Sequence, residues 1–198
     1  MSNFTITLLV VGAIVAYLVV IYNRLVSLRN RHANAFSQID VQLQRRYELI
    51  PNLVEIAKEY MKHEAETLTA VINARNSANS CRIAASSSPE NSSSIHALAQ
   101  AESQLSGALG GFNLVMEDYP DLKADERMAD LHRDLTSTEN RVGFARQAYS
   151  DAGMAYNTEC EKFPNVLVAR LCAFQLADLF EIDSSEKEKR EAVSVSFS

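Results

Sequence analysis

An uncharged run from Phe4 to Tyr22, FTITLLVVGAIVAYLVVIY, is followed at once by Arg24, Arg29 and Arg31. A helix rises about 1.5 Å per residue, so this run covers roughly the 30 Å hydrocarbon core of a bilayer. A cleaved signal peptide would want a basic start, a shorter apolar core and small residues at its end. Met1, Ser2 and Asn3 carry no side-chain charge, and bulky Val20, Ile21 and Tyr22 stand where a cleavage site needs small ones. A core helix of a soluble protein fits no better, because no polar face interrupts the run. The segment reads as a retained anchor over residues 1–22, with the lipid bilayer as the first partner.

Lysine and arginine resist translocation, so their position sets orientation. Arg24, Arg29, Arg31, Arg45 and Arg46 follow the span against the single acid Asp40, and none precedes it. The expectation is a single-pass membrane protein with a short N-terminus outside and the body in the cytoplasm. Cys81, Cys160 and Cys172 match no disulfide framework, zinc pair or CxxC redox motif. A formal net charge of -6 argues against nucleic-acid binding, which needs a concentrated basic surface.

The remaining residues suffice for one domain with a real core, placed at 23–183, before a charged, serine-rich tail at 184–198 expected to be disordered. Glycine and proline are few and strand-like alternation is absent, so the body is predicted all-α. Leu25, Leu28, His32, Phe36, Ile39, Leu43, Tyr47, Ile50, Val54, Ala57 and Met61 recur at helical steps and form one stripe. No turn signal separates that stripe from the span, which predicts a first helix continuous with the anchor. Pro51 lies inside the stripe and predicts a kink or break there, with a second helix from Asn52 to Ala84.

Residues 86–94, SSSPENSSS, read as a loop in which Ser92 to Ser94 offer N-cap hydroxyls to a third helix. Leu98, Leu105, Leu109, Phe112 and Met116 mark that helix. Gly107, Gly110 and Gly111 within it cost about 1 kcal/mol each relative to alanine, which close approach of a neighbouring backbone could offset. A fourth helix is expected from Asp125 and Glu126 to about Phe163, and a short apolar helix from Val166 to Phe180 with Pro164 at its first position. The architecture is an N-terminal transmembrane helix continuous with an antiparallel bundle of long helices.

The residues supply no recognisable reactive centre. Thr67 occupies the position where His63-Glu64 would need a second zinc-binding histidine, and His32, His96 and His132 stand alone. No GxSxG elbow, GxGxxG loop or GK[ST] ending occurs. Ala129 sits where His132 would need an acid for a di-metal helix motif. The expectation is a non-enzymatic protein with no cofactor and no metal. Two surfaces are singled out instead. Arg45, Arg46, Tyr47 and Asn52 form a candidate partner surface, and Ala145, Ala148, Ala152 and Ala155 a narrow face on which another helix could pack closely. The polar patches around Asp40 and Glu139 read mainly as solvated helix surface; the alternative is that Asp40 or Glu139 pairs with an arginine of another helix and fixes bundle register.

The string NRHANAFSQIDVQLQRRYELIPNLVEIAKEYMKHEAETLTAVINAR over 30–75 resembles the bacterial LemA family, most specifically in QIDVQLQRR followed by ELIPNLVE. The resemblance continues through Leu105-Ser106-Gly107-Ala108-Leu109, Tyr119-Pro120-Asp121-Leu122-Lys123-Ala124, Thr138-Glu139-Asn140-Arg141, Ala145-Arg146, Tyr156-Asn157 and Phe163-Pro164. It implies one N-terminal span and an antiparallel helical bundle, with no accepted enzymatic activity. A branch associated with building magnetosome membranes turns the functional expectation toward membrane organisation. The leading expectation is a scaffold that self-associates as a homo-oligomer; the alternative is an adaptor recruiting or regulating a membrane enzyme or protease. The chain departs from the family pattern at Phe36, where a tryptophan is usual, and at Ala173-Phe174-Gln175-Leu176, where a Gly-Phe-Lys-Pro-like ending is usual.

Overall fold

The computed structural model describes residues 3–89 and 91–178. Six helices and no strand occur among them: α1 (Asn3–Tyr60), α2 (Ala65–Ser87), α3 (Ser92–Met116), α4 (Pro120–Lys123), α5 (Glu126–Glu161) and α6 (Asn165–Leu171). The tail expected to be disordered from Ser184 lies outside the described residues.

The 58-residue α1 carries the N-terminal apolar run and the first bundle helix without interruption, as its unbroken stripe predicts. Its first third exposes its apolar side chains, Leu8, Leu9, Val11, Ile14 and Val20 among them, and is long and apolar enough to cross a membrane. Beyond Tyr22 the stripe turns inward: Leu25, Ile39, Leu43, Ile50 and Ala57 are wholly buried.

α1 continues through Pro51, where a break is predicted. A proline has no N–H for the carbonyl four residues earlier, so Tyr47 C=O loses its helical partner. Arg75 Nε on α2 donates to that oxygen at 2.9 Å. The lost hydrogen bond is replaced from another helix, and α1 runs on to Tyr60. The chain reverses instead at Met61–Glu64, so α2 begins at Ala65 rather than Asn52.

α2 returns antiparallel and buries Val71, Ala78 and Ala85, residues spaced by seven on one narrow face. Small side chains at that spacing let α1 and α3 approach on either side. α2 and α3 each extend into the predicted serine loop, and the N-cap of α3 is Asn91, whose side chain accepts from Ser93 N at 3.0 Å. An Asx side chain outcompetes the serines because it reaches the second amide of the helix with little strain.

The α3 glycines face open space: a Cβ at Gly107, Gly110 or Gly111 would meet nothing within 4 Å. The close backbone approach expected to offset them does not occur. Asp125 caps α5, accepting from Arg127 N and Met128 N. α5 then packs antiparallel along α1 from Tyr60, whose hydroxyl donates to Asp125 Oδ2 at 2.8 Å, back to Arg24, which pairs with Glu159 at 3.2 Å.

α6 is shorter than the predicted Val166 to Phe180, and Pro164 is its N-cap rather than its first helical residue. Ala173 adopts φ 53°, with Phe174 N donating to Ala169 O at 2.9 Å and Ala173 N to Arg170 O at 3.3 Å. This is a Schellman stop, with alanine in the left-handed position that glycine usually fills. Residues 174–178 are then held against α5: Asn157 donates to Ala177 O and accepts from Ala177 N, both at 2.7 Å, and Tyr156 Oη donates to Gln175 O at 2.8 Å.

Candidate functional site

Two features stand out against the apolar bundle, a buried charged hub at mid-height and a cavity at the end nearest the span. The hub is built on Glu102, which occupies the helical stripe Leu98, Glu102, Leu105 of α3 and is 2% exposed. Its Oε2 accepts from Arg46 Nη1 of α1 at 3.0 Å and from Arg146 Nη2 of α5 at 2.8 Å. The Tyr47 hydroxyl of α1 donates to its Oε1. Arg46 also reaches Ser106 Oγ of α3 at 3.4 Å and Glu139 Oε1 of α5 at 3.8 Å.

One carboxylate thus ties three helices together, and α3 meets α5 through these long side chains rather than by backbone approach. Burial, reinforced by the adjacent Glu102 carboxylate, holds the Tyr47 phenol far above its ordinary ionisation range, so it remains a neutral donor. Burial lowers the Arg146 guanidinium while Glu102 opposes that shift. With three donors on it, the buried carboxylate joins side chains of α1, α3 and α5 at one point. The hub therefore positions helices.

Asp40, one of the two acids considered from sequence for a register role, pairs with Arg82 of α2 at 2.7 Å, both side chains being mostly buried. Glu139 makes the longer contact to Arg46 and is largely exposed. The candidate partner surface is divided by the fold. Arg45 and Asn52 face solvent, but Arg46 is 3% and Tyr47 1% exposed, because successive positions on a helix point in different directions and these two fall on the inward side. They are hub residues and cannot join Arg45 and Asn52 on one contact surface.

Of the alanine face, Ala145 is buried against α1, Ala152 is half-buried, and Ala148 and Ala155 are exposed on the flank of α5. Ala145 and Ala148 lie along a shallow groove of about 640 Å³ between α1 and α5, with Val41, Arg141 and Phe144. Val41 is 61% and Phe144 73% exposed there.

The cavity near the N-terminal apolar run holds about 250 Å³, is partly open to solvent, and is lined by Arg29 and His32 of α1, Pro89 between α2 and α3, Ser92 at the start of α3, Tyr149 and Tyr156 of α5 and the 173–178 segment. The His32 and Tyr149 rings stack at 4.2 Å, and Phe36 meets Tyr149 edge-on at 5.9 Å. The Tyr149 phenol is pushed up to about 12, first by burial and then by the charge of Asp178. Among the described residues no group of three or more His, Cys, Asp and Glu side chains converges as metal ligands would.

The hub was partly legible: an acid within a buried stripe demands a partner, and Glu102 between Leu98 and Leu105 is such an acid. Which arginines answer it depends on the packing of three helices and has no local signature.

Residues 35–197 match the model of the LemA family, a stretch that includes every helix of the bundle after α1 and the bundle part of α1 from Ala35. The chain belongs to the LemA family. Curated relatives include magnetosome proteins MamQ 1 and MamQ 2 of Paramagnetospirillum magneticum, each 24% identical over 89% of this chain and 70% of the relative. Protein LemA of Metamycoplasma hominis is 22% identical over 85% of this chain and 75% of its own. None of these names denotes an enzyme. Family, relatives and apolar N-terminal helix together describe a membrane-associated helical protein of bacterial type.

Proposed function

We propose that this LemA-family protein is a non-enzymatic scaffold that self-associates in the plane of the membrane through the α1–α5 groove. The observation that carries the reading is the apolar, solvent-facing pair Val41 and Phe144 beside the low-relief Ala145 and Ala148. Large exposed apolar side chains rimming a shallow groove are what a partner helix would cover. Protomers anchored at one point gain avidity when they assemble in one plane. The arginines after the span favour the inner membrane, with the N-terminus outside and the bundle in the cytoplasm. Two relatives carry magnetosome names, which supports a role in organising a membrane or its proteins.

A photo-crosslinking side chain at Phe144 in intact membranes is expected to give a covalent homodimer, while one at Ile83, an exposed apolar site on α2, gives none. Monomer alone from the Phe144 position would remove the reading.

A further inference from the structure

α6 lies beside the end of the span, not farther along the bundle. Val168 and Ala169 pack on Ile21 and Leu25, with Tyr156 and Cys160 completing the cluster. Ile21 belongs to the apolar run itself and is 5% exposed, while its neighbours Val20 and Tyr22 are 62% and 44% exposed. The Phe174 ring meets Tyr22 edge-on at 5.7 Å, and the Arg29 guanidinium lies 5.6 Å over the same Phe174 ring. Tyrosine at the end of a span marks the head-group level, with arginines just beyond it. α6 and the residues on either side of it are therefore held at that level by the bundle.

At that level the segment turns apolar side chains outward. Phe163 in the turn before α6 is 82% exposed, Leu167 60% and Leu171 87%, the two leucines one helical turn apart on a shared face. Single exposed apolar residues are ordinary on a protein surface. Phe163, Leu167 and Leu171 instead belong to one short segment, and that segment packs Val168 and Ala169 on Ile21 at the end of the span. Arg170 beside Leu171 adds exposed positive charge suited to head-group phosphates, while Lys162 beside Phe163 is 3.3 Å from Glu159 Oε2.

We infer that Phe163, Leu167 and Leu171 form a second membrane contact, entering the boundary between head groups and acyl chains beside the emerging span. The bundle is then held to the bilayer at two places, which fixes its tilt and rotation relative to the membrane. A single helix leaving the bilayer would allow it to swing. The inference requires the span to lie in lipid and does not depend on self-association through the α1–α5 groove.

The protein has no tryptophan, so one introduced at Leu167 reports alone. Full-length L167W in vesicles of phosphatidylglycerol and phosphatidylethanolamine is compared with L114W. Leu114 is 75% exposed on α3, about 33 Å farther along that helix than its start near the membrane end. Lipids brominated near the head group are expected to quench L167W several-fold and leave L114W unchanged. Equal quenching of both by aqueous iodide, with no effect of bromolipid, overturns the inference. So does an L167W shielded from both quenchers, which would mean that a second copy covers the stripe. L171W repeats the test at a site more exposed than Leu167, should L167W fail to fold.

Discussion

Replacing Glu102 by glutamine keeps the shape of the hub and removes its negative charge. Arg46 and Arg146, with side chains 4% and 16% exposed, would then face each other, with Glu139 at 3.8 Å as the remaining acid near Arg46. Breaking a buried ion pair by removing one partner costs about 3–5 kcal/mol, because a charge is left desolvated and uncompensated. The contact to Glu139 and the slight exposure of Arg146 place E102Q at the lower end, about 3 kcal/mol. That is a large share of the ~5–15 kcal/mol that holds a domain folded. At about 2–4 °C per kcal/mol for a domain of this size, the melting temperature should fall by about 6–12 °C.

Thermal unfolding of the full-length protein in mild detergent, followed by circular dichroism at a helix band, measures this directly. A quadruple variant R46L/Y47F/E102L/R146M, which exchanges the hub for apolar side chains without orphaning the Tyr47 hydroxyl, should recover much of the loss, since buried ion pairs are often replaceable as a unit but not singly. E102Q melting within about 2 °C of the parent would refute the argument that the hub is a desolvated, mutually dependent cluster.

Other substitutions test separate links. R75A should cost about 1–3 kcal/mol by orphaning Tyr47 C=O, and much less in a P51A background, where residue 51 regains its N–H; equal costs in both backgrounds would contradict the account of how α1 passes Pro51. A173G should stabilise the protein by about 1 kcal/mol by relieving the left-handed alanine, and a destabilised variant would count against the Schellman assignment. G110A and G111A should each add about 1 kcal/mol, because neither methyl meets a neighbour. The Tyr149 phenol is raised to about 12 against about 10 in an unfolded chain, so its contribution is complete below pH 10 and lost as pH rises toward 12; Y149F should flatten the stability profile across that window.

How far the fold could be read from the sequence depended on whether the cause of each feature was local. The continuity of anchor and first bundle helix, the α3 stripe and the Asp125 start of α5 each arise from neighbouring residues, and periodicity and capping chemistry revealed them. Pro51 misled because its local rule is sound but its remedy, Arg75, comes from another helix. α6 ended early because Ala173 accepts a backbone conformation that nothing in an alanine announces. The hub lay between these cases: Glu102 in an apolar stripe was a visible anomaly, whereas assigning Arg46 and Tyr47 to solvent failed because two adjacent positions both fell on the inward arc of α1. The exposed pair Val41 and Phe144 gave no sequence signal, since a groove between two helices exists only after they pack.

The central claim is assembly in the membrane plane, and the most direct measurement is the mass of the full-length protein in native membrane patches excised without detergent exchange. The account predicts a defined multiple of the chain mass that collapses to the single chain in F144E while helicity is retained. A single chain in the parent protein across the accessible range of membrane density would contradict it.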